Sequence, residues 1–258
     1  MSTLSAESGG KIEIYYEEEG SGGSLVMVGG FTSTVEVWGK LRPLLAEKHR
    51  VVMADNRGSG RTRVLEDDGD RAPGRFAMDL LALMGGLGIE RAHILGASMG
   101  GMIAQHFVSR HADKCLSLTT IFSTTGNPKL PPAKPEAMKA LVTRPDSTDE
   151  KVLVEHGMMV ARTIGSPGYP TEDERLRERT TASVRRSFYP EGPTRHLSAI
   201  VADGDRRGML KDVTVPTLVL HGEDDPLVPC EGGRDTAASI PGAKLKTIPG
   251  WGHDLPLE

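Results

Sequence analysis

Several features that would mark a secreted or membrane protein are scarce or absent in this sequence. It has two cysteines, Cys115 and Cys230, and neither a CxxC pair nor a cysteine-rich framework, which favours two free thiols in a reducing compartment. No apolar run approaches the roughly 18 residues of a membrane-spanning helix. The N-terminal stretch MSTLSAESGG lacks the charged and apolar regions of a secretory signal. We therefore expect a cytoplasmic globular protein.

The charge composition also excludes classes of partner. Lys and Arg together number 31 and Asp and Glu 35, which gives a mild net charge of -4. Without a basic stripe or a basic amphipathic segment, neither nucleic acid nor a membrane surface is an expected partner. No histidine–carboxylate cluster has the spacing of metal ligands, so we expect no metal and no other cofactor. A small molecule remains as the expected partner.

The order of apolar segments predicts an α/β fold. A chain of 258 residues suits one large domain, or a domain with an insertion. Short apolar runs with the character of strands buried on both faces alternate with amphipathic helices. The strands are predicted at 24–30, 49–60, 91–98 and 115–124, and the helices at 37–48, 75–89 and 99–114. This alternation predicts a mostly parallel twisted sheet with helices on both faces.

The segments before and between these units are predicted to be peripheral. Residues 1–10 are expected to be disordered, and residues 11–20 to form an exposed antiparallel strand because they alternate apolar and polar side chains. Residues 61–74 are charged and rich in turn formers, so we expect a surface loop there.

The alternation stops after the fourth buried strand. Residues 125–195 hold short amphipathic helical patches separated by prolines, and strand–helix alternation resumes at 215–222, followed by a helix at 231–239 and a strand at 243–250. We therefore predict an α/β core over 1–124 and 196–258, with a helical cap over 125–195 that covers the carboxyl ends of the strands, where ligands bind in such sheets. Some apolar cap residues are candidates to line a pocket, while most are expected to pack the cap helices together. The candidates are Met138, Leu141, Val142, Met158, Met159, Val160 and Ile164.

The stretch HILGASMGGM contains the candidate nucleophile, Ser98. The pattern Gly-x-Ser-x-Gly is common by chance, but here a predicted strand runs directly into it and a predicted helix begins at Met99. A serine on such a strained turn presents its hydroxyl above the edge of the sheet, and glycines are needed where neighbouring backbone passes too close for a Cβ. A serine hydroxyl reacts only when a base removes its proton. The sequence must therefore also supply a histidine and an acid.

The candidate base is His253, and the candidate acid is Asp225. His253 lies in the loop PGWGHD after the last predicted strand, and the other seven histidines, among them His196 and His221, are expected to be surface or structural residues. The acid must orient the imidazole and stabilise its charged form. The loop HGEDDPLVP offers Glu223, Asp224 and Asp225; we select Asp225 on its spacing from Gly222 and Pro229, with Asp224 as the alternative.

Two backbone amides are candidates for an oxyanion hole, which must aim hydrogen-bond donors at the oxygen of a tetrahedral intermediate. Met99 N–H comes directly after the nucleophile, at a helix N-terminus. The second donor is assigned to Phe31 N–H, with Gly30 as the alternative, because the glycines of GGFTST allow backbone to approach a substrate closely. The alternative reading is that these glycines only turn the chain.

Taken together, these motifs resemble the α/β-hydrolase superfamily over nearly the whole chain outside the cap. The matching segments are LVMVGGF, DNRGSGRT, ILGASMGGMIAQ, HGEDDPLVP and IPGWGHDLP, and the order serine, aspartate, histidine is that of the superfamily. Within it, the C-terminal run and SPGYP at 166–170 are most similar to the aclacinomycin methylesterase-like carboxylesterases, which remove a methyl ester from a polyketide. The resemblance implies a carboxylesterase-type serine hydrolase with a small or medium, largely apolar ester as substrate.

Other reactions on the same catalytic residues are lactone hydrolysis, perhydrolysis and hydrolysis of a carbon–carbon bond. A hydrolase-fold protein that binds a ligand without turnover is a further alternative.

The sequence departs from the family pattern at two places. Gly29-Gly30 stands where many members have His-Gly, and the chain ends five residues after His253, where members continue into a final helix. A chain truncated in this way would expose apolar sheet surface and favour association, so a homo-oligomer is a further expectation.

Overall fold

The computed structural model describes residues 2–66, 73–145, 147–187, 189 and 191–256. In these residues a nine-stranded sheet has the order β1-β2-β4-β3-β6-β7-β8-β9, and β5 pairs with β2. The strands are β1 (Ser2–Glu7), β2 (Lys11–Glu19), β3 (Gly23–Val28), β4 (His49–Ala54), β5 (Arg63–Val64), β6 (Ala92–Ala97), β7 (Cys115–Ile121), β8 (Thr217–Gly222) and β9 (Lys244–Ile248). The pairs from β4 through β3, β6, β7 and β8 to β9 are parallel, while those of β2 with β1, β4 and β5 are antiparallel. The predicted mostly parallel sheet is therefore confirmed.

The N-terminal segment differs from the expectation. Residues 1–10 were expected to be disordered, but β1 pairs with β2 from Ser2 opposite Tyr16 to Glu7 opposite Lys11. Leu4 packs on the larger hydrophobic cluster of the core, which includes residues of α2 (Pro73–Gly86) and α3 (Met99–Arg110), so this strand gains both backbone hydrogen bonds and apolar contact. The expectation of an exposed β2 is also wrong, because β2 lies between two strands and buries Ile12, Ile14 and Tyr15.

Helices connect the parallel strands as predicted, with some differences in length. The segment predicted as one helix at 37–48 is a 3₁₀ turn, Val35–Trp38, followed by a separate helix α1, Leu41–Ala46, with Gly39 at positive φ between them. The other connecting helices are α2 (Pro73–Gly86), α3 (Met99–Arg110) and α9 (Cys230–Ser239). The predicted loop 61–74 contains β5, and its residues 67–72 lie outside the described residues.

The hydrophobic core lies on both faces of the sheet, as the continuous apolar runs predict. In β3, Val26 and Val28 face one cluster, which also contains residues of α2 and α3, whereas Leu25 and Met27 face a second cluster around Trp38. Cys115 and Cys230 are both free and buried, so the structure needs no disulfide. On β8 and β9, Leu218 and Leu245 are each 37% exposed.

All the regular secondary structure in the described part of the long connection between β7 and β8 is helical. The helices are α4 (Pro135–Val142), α5 (Glu150–Ile164), α6 (Asp173–Arg186), α7 (Gly192–Asp203) and α8 (Arg207–Leu210). A small separate cluster, Val154, Met158 and Leu176, joins α5 to α6. The expected domain boundary at 195/196 falls inside α7, and Ala199 of this helix belongs to the main core. None of the helices in the described residues combines the length and the apolar character that crossing a membrane requires.

A buried ion pair joins the loop after β4 to helix α2. The Arg57 guanidinium donates from Nε and Nη2 to the two carboxylate oxygens of Asp79, each at 2.6 Å, and Nη2 also donates to the carbonyl of Ser8 at 3.1 Å. Both side chains are nearly inaccessible to solvent. A bidentate pair of this kind satisfies both charges, and removal of one partner leaves the other charge buried without compensation.

We expect Arg57→Ala to lower the free energy of unfolding by about 3 kcal/mol or more. The matched control is Lys11→Ala, which removes a 2.5 Å pair with Glu66 whose side chains are 57% and 58% exposed; solvent screening limits that loss to about 1 kcal/mol or less. Urea unfolding followed by circular dichroism measures both. Equal losses in the two variants would contradict the assigned role of the Arg57–Asp79 pair.

Candidate active site

Ser98 lies at the sharp turn between β6 and α3. Its backbone has φ 56° and ψ −121°, a region that non-glycine residues rarely adopt and that costs on the order of 1–3 kcal/mol. The turn is held by Ser98 N–H, which donates to Ile121 O at 2.9 Å, and by Ser123 Oγ, which donates to Ser98 O at 2.8 Å. Hydrogen bonds to the neighbouring strand β7 and to a residue after it thus hold Ser98 in its strained conformation.

The glycines around Ser98 are required by close backbone contacts, as predicted. A Cβ on Gly100 would lie 2.0 Å from Val28 O, and one on Gly96 would lie 2.2 Å from Gly100 O. Both distances are far below any real contact of a Cβ atom. The Gly-x-Ser-x-Gly pattern therefore reflects packing of the turn against β3 and against the first turn of α3.

His253 and Asp225 meet Ser98 in a chain of two hydrogen bonds. His253 Nε2 lies 2.9 Å from Ser98 Oγ, and His253 Nδ1 lies 2.7 Å from Asp225 Oδ2. Because an ionised carboxylate only accepts hydrogen bonds, Nδ1 carries the proton, and in the neutral ring Nε2 is left to accept from the serine hydroxyl. The ring of Phe122 packs against the imidazole, with 4.6 Å between ring centroids. The imidazole is thus oriented to receive the proton of Ser98.

Asp225 is the carboxylate of its loop that the structure brings to His253. Its Oδ1 accepts from the amides of Leu227 and Val228 at 2.9 and 2.8 Å. Burial alone raises the pKa of Asp225, but the adjacent His253 and the hydrogen bonds from imidazole and backbone outweigh it and lower the pKa to about 2. The alternative candidate, Asp224, is exposed and accepts from Gly250 N–H at 2.7 Å, so it does not reach the imidazole.

The candidate oxyanion donors lie beside the nucleophile. A Cβ on Gly30 would lie 3.0 Å from Ser98 Cβ, which places the loop of Gly30 and Phe31 directly against the nucleophile. Met99 is the first residue of α3, where amides have no acceptor within the helix. In the described residues neither Phe31 N–H nor Met99 N–H has a hydrogen-bond acceptor. By contrast, the next amide in the loop, Thr32 N–H, is occupied.

The acceptor for Thr32 N–H is His196, a residue to which the sequence assigned no function. His196 Nδ1 lies 3.0 Å from Thr32 N, and Nε2 lies 2.8 Å from the carbonyl of Arg57. Nε2 therefore donates and Nδ1 accepts, which requires the neutral ring. Thr32 itself has φ 52°, so this hydrogen bond supports a strained residue next to Phe31. No sequence signal identifies the contact, because 164 positions separate the two residues.

The motif DNRGSGRT supports the same loop from the other side. Asn56 Nδ2 donates to Gly29 O at 2.8 Å, and Ser59 Oγ donates to Ser33 O at 3.0 Å. Asp55 accepts from Val35 N–H at 2.8 Å, just after the loop. The loop that carries Phe31 is therefore fixed along its length by the segment after β4 and by α7.

A cavity of about 430 Å³ lies above Ser98 and His253. Among its described lining residues, His253 is the one ionisable side chain, and the rest of the wall is largely apolar. Of the cap residues predicted as lining candidates, Met138, Leu141 and Ile164 reach the cavity. Met158 instead is buried in the cluster between α5 and α6, and Val142 and Met159 are exposed. Val160 is also absent from the lining.

His196 makes stability depend on pH. Burial lowers its pKa from the ordinary value of 6.5, so below about pH 6.5 the unfolded chain takes up a proton that the folded protein resists. The free energy of unfolding then falls with decreasing pH, by up to about 1.4 kcal/mol per pH unit from this residue. We expect His196→Asn to flatten the dependence between pH 5 and 7, as measured by urea unfolding at several pH values.

His111→Asn is the matched control for this measurement. The pKa of its partly exposed ring is also lowered by burial, so its removal should flatten the profile less. An unchanged slope in His196→Asn would show that His196 is not held neutral in the folded protein. Equal flattening in the two variants would show that the buried His196 contributes no more to the pH dependence than the partly exposed His111.

Comparison with known proteins identifies the fold family. A family model described as alpha/beta hydrolase fold matches residues 23–258. Rhodomycin D methylesterase DnrP of Streptomyces peucetius is 26% identical, over 90% of this chain and 85% of that protein. A 2-hydroxy-6-oxononadienedioate/2-hydroxy-6-oxononatrienedioate hydrolase of Paraburkholderia xenovorans is 26% identical, over 96% of this chain and 86% of that protein. The methylesterase match agrees with the resemblance of the sequence motifs.

Solved structures show the same architecture. A thermophilic esterase from Thermogutta terrifontis is similar with a TM-score of 0.76 and 25% identity, over 98% of this chain and 92% of that one. Its similarity extends across the core and the helical insertion, since nearly the whole of this chain is covered. With the family model matching most of its length, the chain belongs to the α/β-hydrolase fold family.

Proposed function

We propose that this protein is a serine hydrolase that cleaves a carboxylic ester through an acyl-enzyme intermediate. The observation that carries the proposal is the hydrogen-bonded chain from Ser98 through His253 to Asp225, at 2.9 and 2.7 Å, beneath a largely apolar cavity. A nucleophile, a base within hydrogen-bond reach and an acid that orients the base are the parts that such catalysis needs. The esterase and methylesterase relatives support the same reaction class.

In the proposed mechanism, Ser98 Oγ attacks the ester carbonyl carbon while His253 Nε2 takes the hydroxyl proton. Asp225 stays ionised and stabilises the imidazolium, while Phe31 N–H and Met99 N–H bind the oxyanion. When the tetrahedral intermediate collapses, the bond from carbonyl carbon to alcohol oxygen breaks and His253 gives its proton to the leaving alcohol. Water then attacks the acyl-enzyme with His253 again as base, which releases the acid and restores Ser98.

The lining of the cavity supports an uncharged, largely apolar ester, such as a methyl ester. A substrate carboxylate buried in this cavity would need a cationic partner, and none of the described lining residues is Lys or Arg. The Paraburkholderia xenovorans hydrolase is named for a substrate with two carboxylates, so its chemistry fits this cavity less well. Lactone hydrolysis and perhydrolysis use the same residues and remain as alternatives, to be separated by a panel of substrates.

We also propose that residues 125–195 form the cap that selects the acyl or alcohol group. Support comes from Met138 and Leu141 on α4 and from Ile164 at the end of α5, all of which line the cavity. Flexible and branched apolar side chains in these positions determine which shapes the cavity accepts.

Variants of two of the proposed catalytic residues, Ser98 and Asp225, test the mechanism. Ser98→Ala should abolish hydrolysis of short p-nitrophenyl esters, and Asp225→Asn should lower kcat by about 10⁴-fold because the imidazole loses its orienting anion. Asp224→Asn is the matched control: its amide oxygen still accepts from Gly250 N–H, so its kcat should stay close to that of the wild type. Steady-state kinetics on the purified proteins measure all three.

Turnover retained in Ser98→Ala would remove the serine mechanism. A loss in Asp224→Asn as large as that in Asp225→Asn would remove the assignment of the acid. A wild-type protein whose melting temperature responds to ester ligands, without turnover of any ester in the panel, would instead indicate a binding protein.

Leu141→Trp tests the role of the cap. The larger side chain should fill part of the cavity and lower the ratio of kcat/KM for p-nitrophenyl octanoate to that for the acetate by about tenfold or more. The matched control is the neighbouring Val142→Trp, which adds the same ring at a position that is 41% exposed and does not line the cavity. An equal change of the ratio in both variants, or in neither, would contradict the proposal.

A further inference from the structure

The segment that ends α5 lies directly against the loop that carries His253. We call residues 164–168 the clamp segment and residues 250–254 the histidine loop. His253 N–H donates to Ile164 O at 2.7 Å, and Gly168 N–H donates to Gly250 O at 2.8 Å. Ile164 is the last residue of α5, and its carbonyl has no acceptor role within the helix. The histidine amide therefore supplies the hydrogen bond that this helix end needs.

Glycines let the two backbones touch without intervening side chains. A Cβ on Gly252 would lie 2.3 Å from Gly165 O, and one on Gly168 would lie 2.8 Å from Gly250 Cα. Gly250 also has φ 76°, in the left-handed region. The separation of the clamp segment and the histidine loop is thus fixed by direct backbone packing, which leaves little room for one to shift relative to the other.

Ser166 connects the residues on both sides of His253. Its Oγ accepts from Gly252 N–H at 3.0 Å and donates to Oδ1 of Asp254. Ser166 is 5% exposed, and burial raises the pKa of its partner Asp254. The histidine loop is closed further by Trp251 Nε1–H, which donates to Asp254 O at 2.7 Å. The hydroxyl therefore holds the chain immediately before and immediately after the base.

We propose that Ser166 is a positioning residue: from the inserted segment it holds Gly252 and Asp254 so that His253 Nε2 faces Ser98. The inference rests on the proposed function, because it takes His253 to be the base. A displacement of the clamp segment would move His253 away from the nucleophile, so the position of the inserted helices and the competence of the base are coupled. The motif SPGYP begins with this serine.

The test compares Ser166→Ala, Asp254→Ala and Asp254→Asn with a matched control, Ser239→Ala. Among the described residues, Ser239 Oγ donates to Asp235 O of its own helix, so its loss removes a hydrogen bond away from the site. The readouts are the rate constant for labelling of Ser98 by a fluorophosphonate, kcat and KM for p-nitrophenyl acetate, and the melting temperature. A crystal structure of Ser166→Ala gives the distance from His253 Nε2 to Ser98 Oγ.

We expect Ser166→Ala and Asp254→Ala to lower the labelling rate and kcat by about 10- to 100-fold, as for a misplaced catalytic group, with KM close to that of Ser239→Ala. The melting temperature should fall by more than in Ser239→Ala, because each variant leaves a buried polar group without its partner. Asp254→Asn keeps an oxygen that accepts the Ser166 hydroxyl, so it should retain most of the rate. A rate in Asp254→Asn well above that in Asp254→Ala would show that Asp254 acts by positioning and not by its charge. Asp254→Ala also keeps the proposal testable if Ser166→Ala does not fold.

Labelling and kcat in Ser166→Ala equal to those in Ser239→Ala would overturn the inference, as would a loss confined to KM or to melting temperature. An unchanged Nε2–Oγ distance of 2.9 Å in the variant crystal would do the same. A wild-type protein that neither reacts with the fluorophosphonate nor hydrolyses esters would refute the proposed function instead, and the crystal distance would still decide whether Ser166 positions His253.

Discussion

The carboxylate of Asp225 is buried in the loop after β8, and a buried charge is stable only when its oxygens accept hydrogen bonds. Two amides of the following turn occupy Oδ1, and the imidazole of His253 occupies Oδ2. The hydrogen bond between Asp225 Oδ2 and His253 Nδ1 fixes the tautomer of His253, and the tautomer fixes which nitrogen faces Ser98. The rest of the site depends on this interaction, because the strained turn of Ser98 is useful only if a correctly oriented base lies above it.

The long helical connection between β7 and β8 contributes to both halves of the site, not only to the wall of the cavity. At one end, residues after α5 hold the histidine loop through Ser166 and Ile164. Farther along the chain, His196 of α7 holds the loop that carries Phe31. Ser98 and Asp225 lie at the carboxyl ends of β6 and β8, whereas the base and one candidate oxyanion donor are held from the helical connection between β7 and β8. Changes in these helices can therefore alter the geometry of the reaction as well as the shape of the cavity.

Sequence reasoning identified the parts of the site that local patterns encode. Ser98 stands between Gly96 and Gly100, and His253 follows Gly252; close backbone contacts require these glycines. The spacing of the β8 loop distinguished Asp225 from Asp224. The residues that it missed act across the fold: Ser166 and Asp254 are 88 positions apart and His196 and Thr32 are 164 apart, so no local pattern reports the contact. Strand β1 was missed because few of its side chains are apolar and it is held to β2 mainly by backbone hydrogen bonds. The roles of Phe31 and Met99 stay predictions.

The central claim is that Ser98 forms a covalent acyl-enzyme, and trapping that species tests it most directly. Acid quenching during turnover of a p-nitrophenyl ester, followed by digestion and peptide mass spectrometry, would locate the acyl group. We expect an acyl mass on the peptide that contains Ser98, formed within the first turnover and lost as water completes the cycle. An acyl group on another residue, such as Cys230, or turnover in which no adduct forms even under single-turnover sampling, would contradict it.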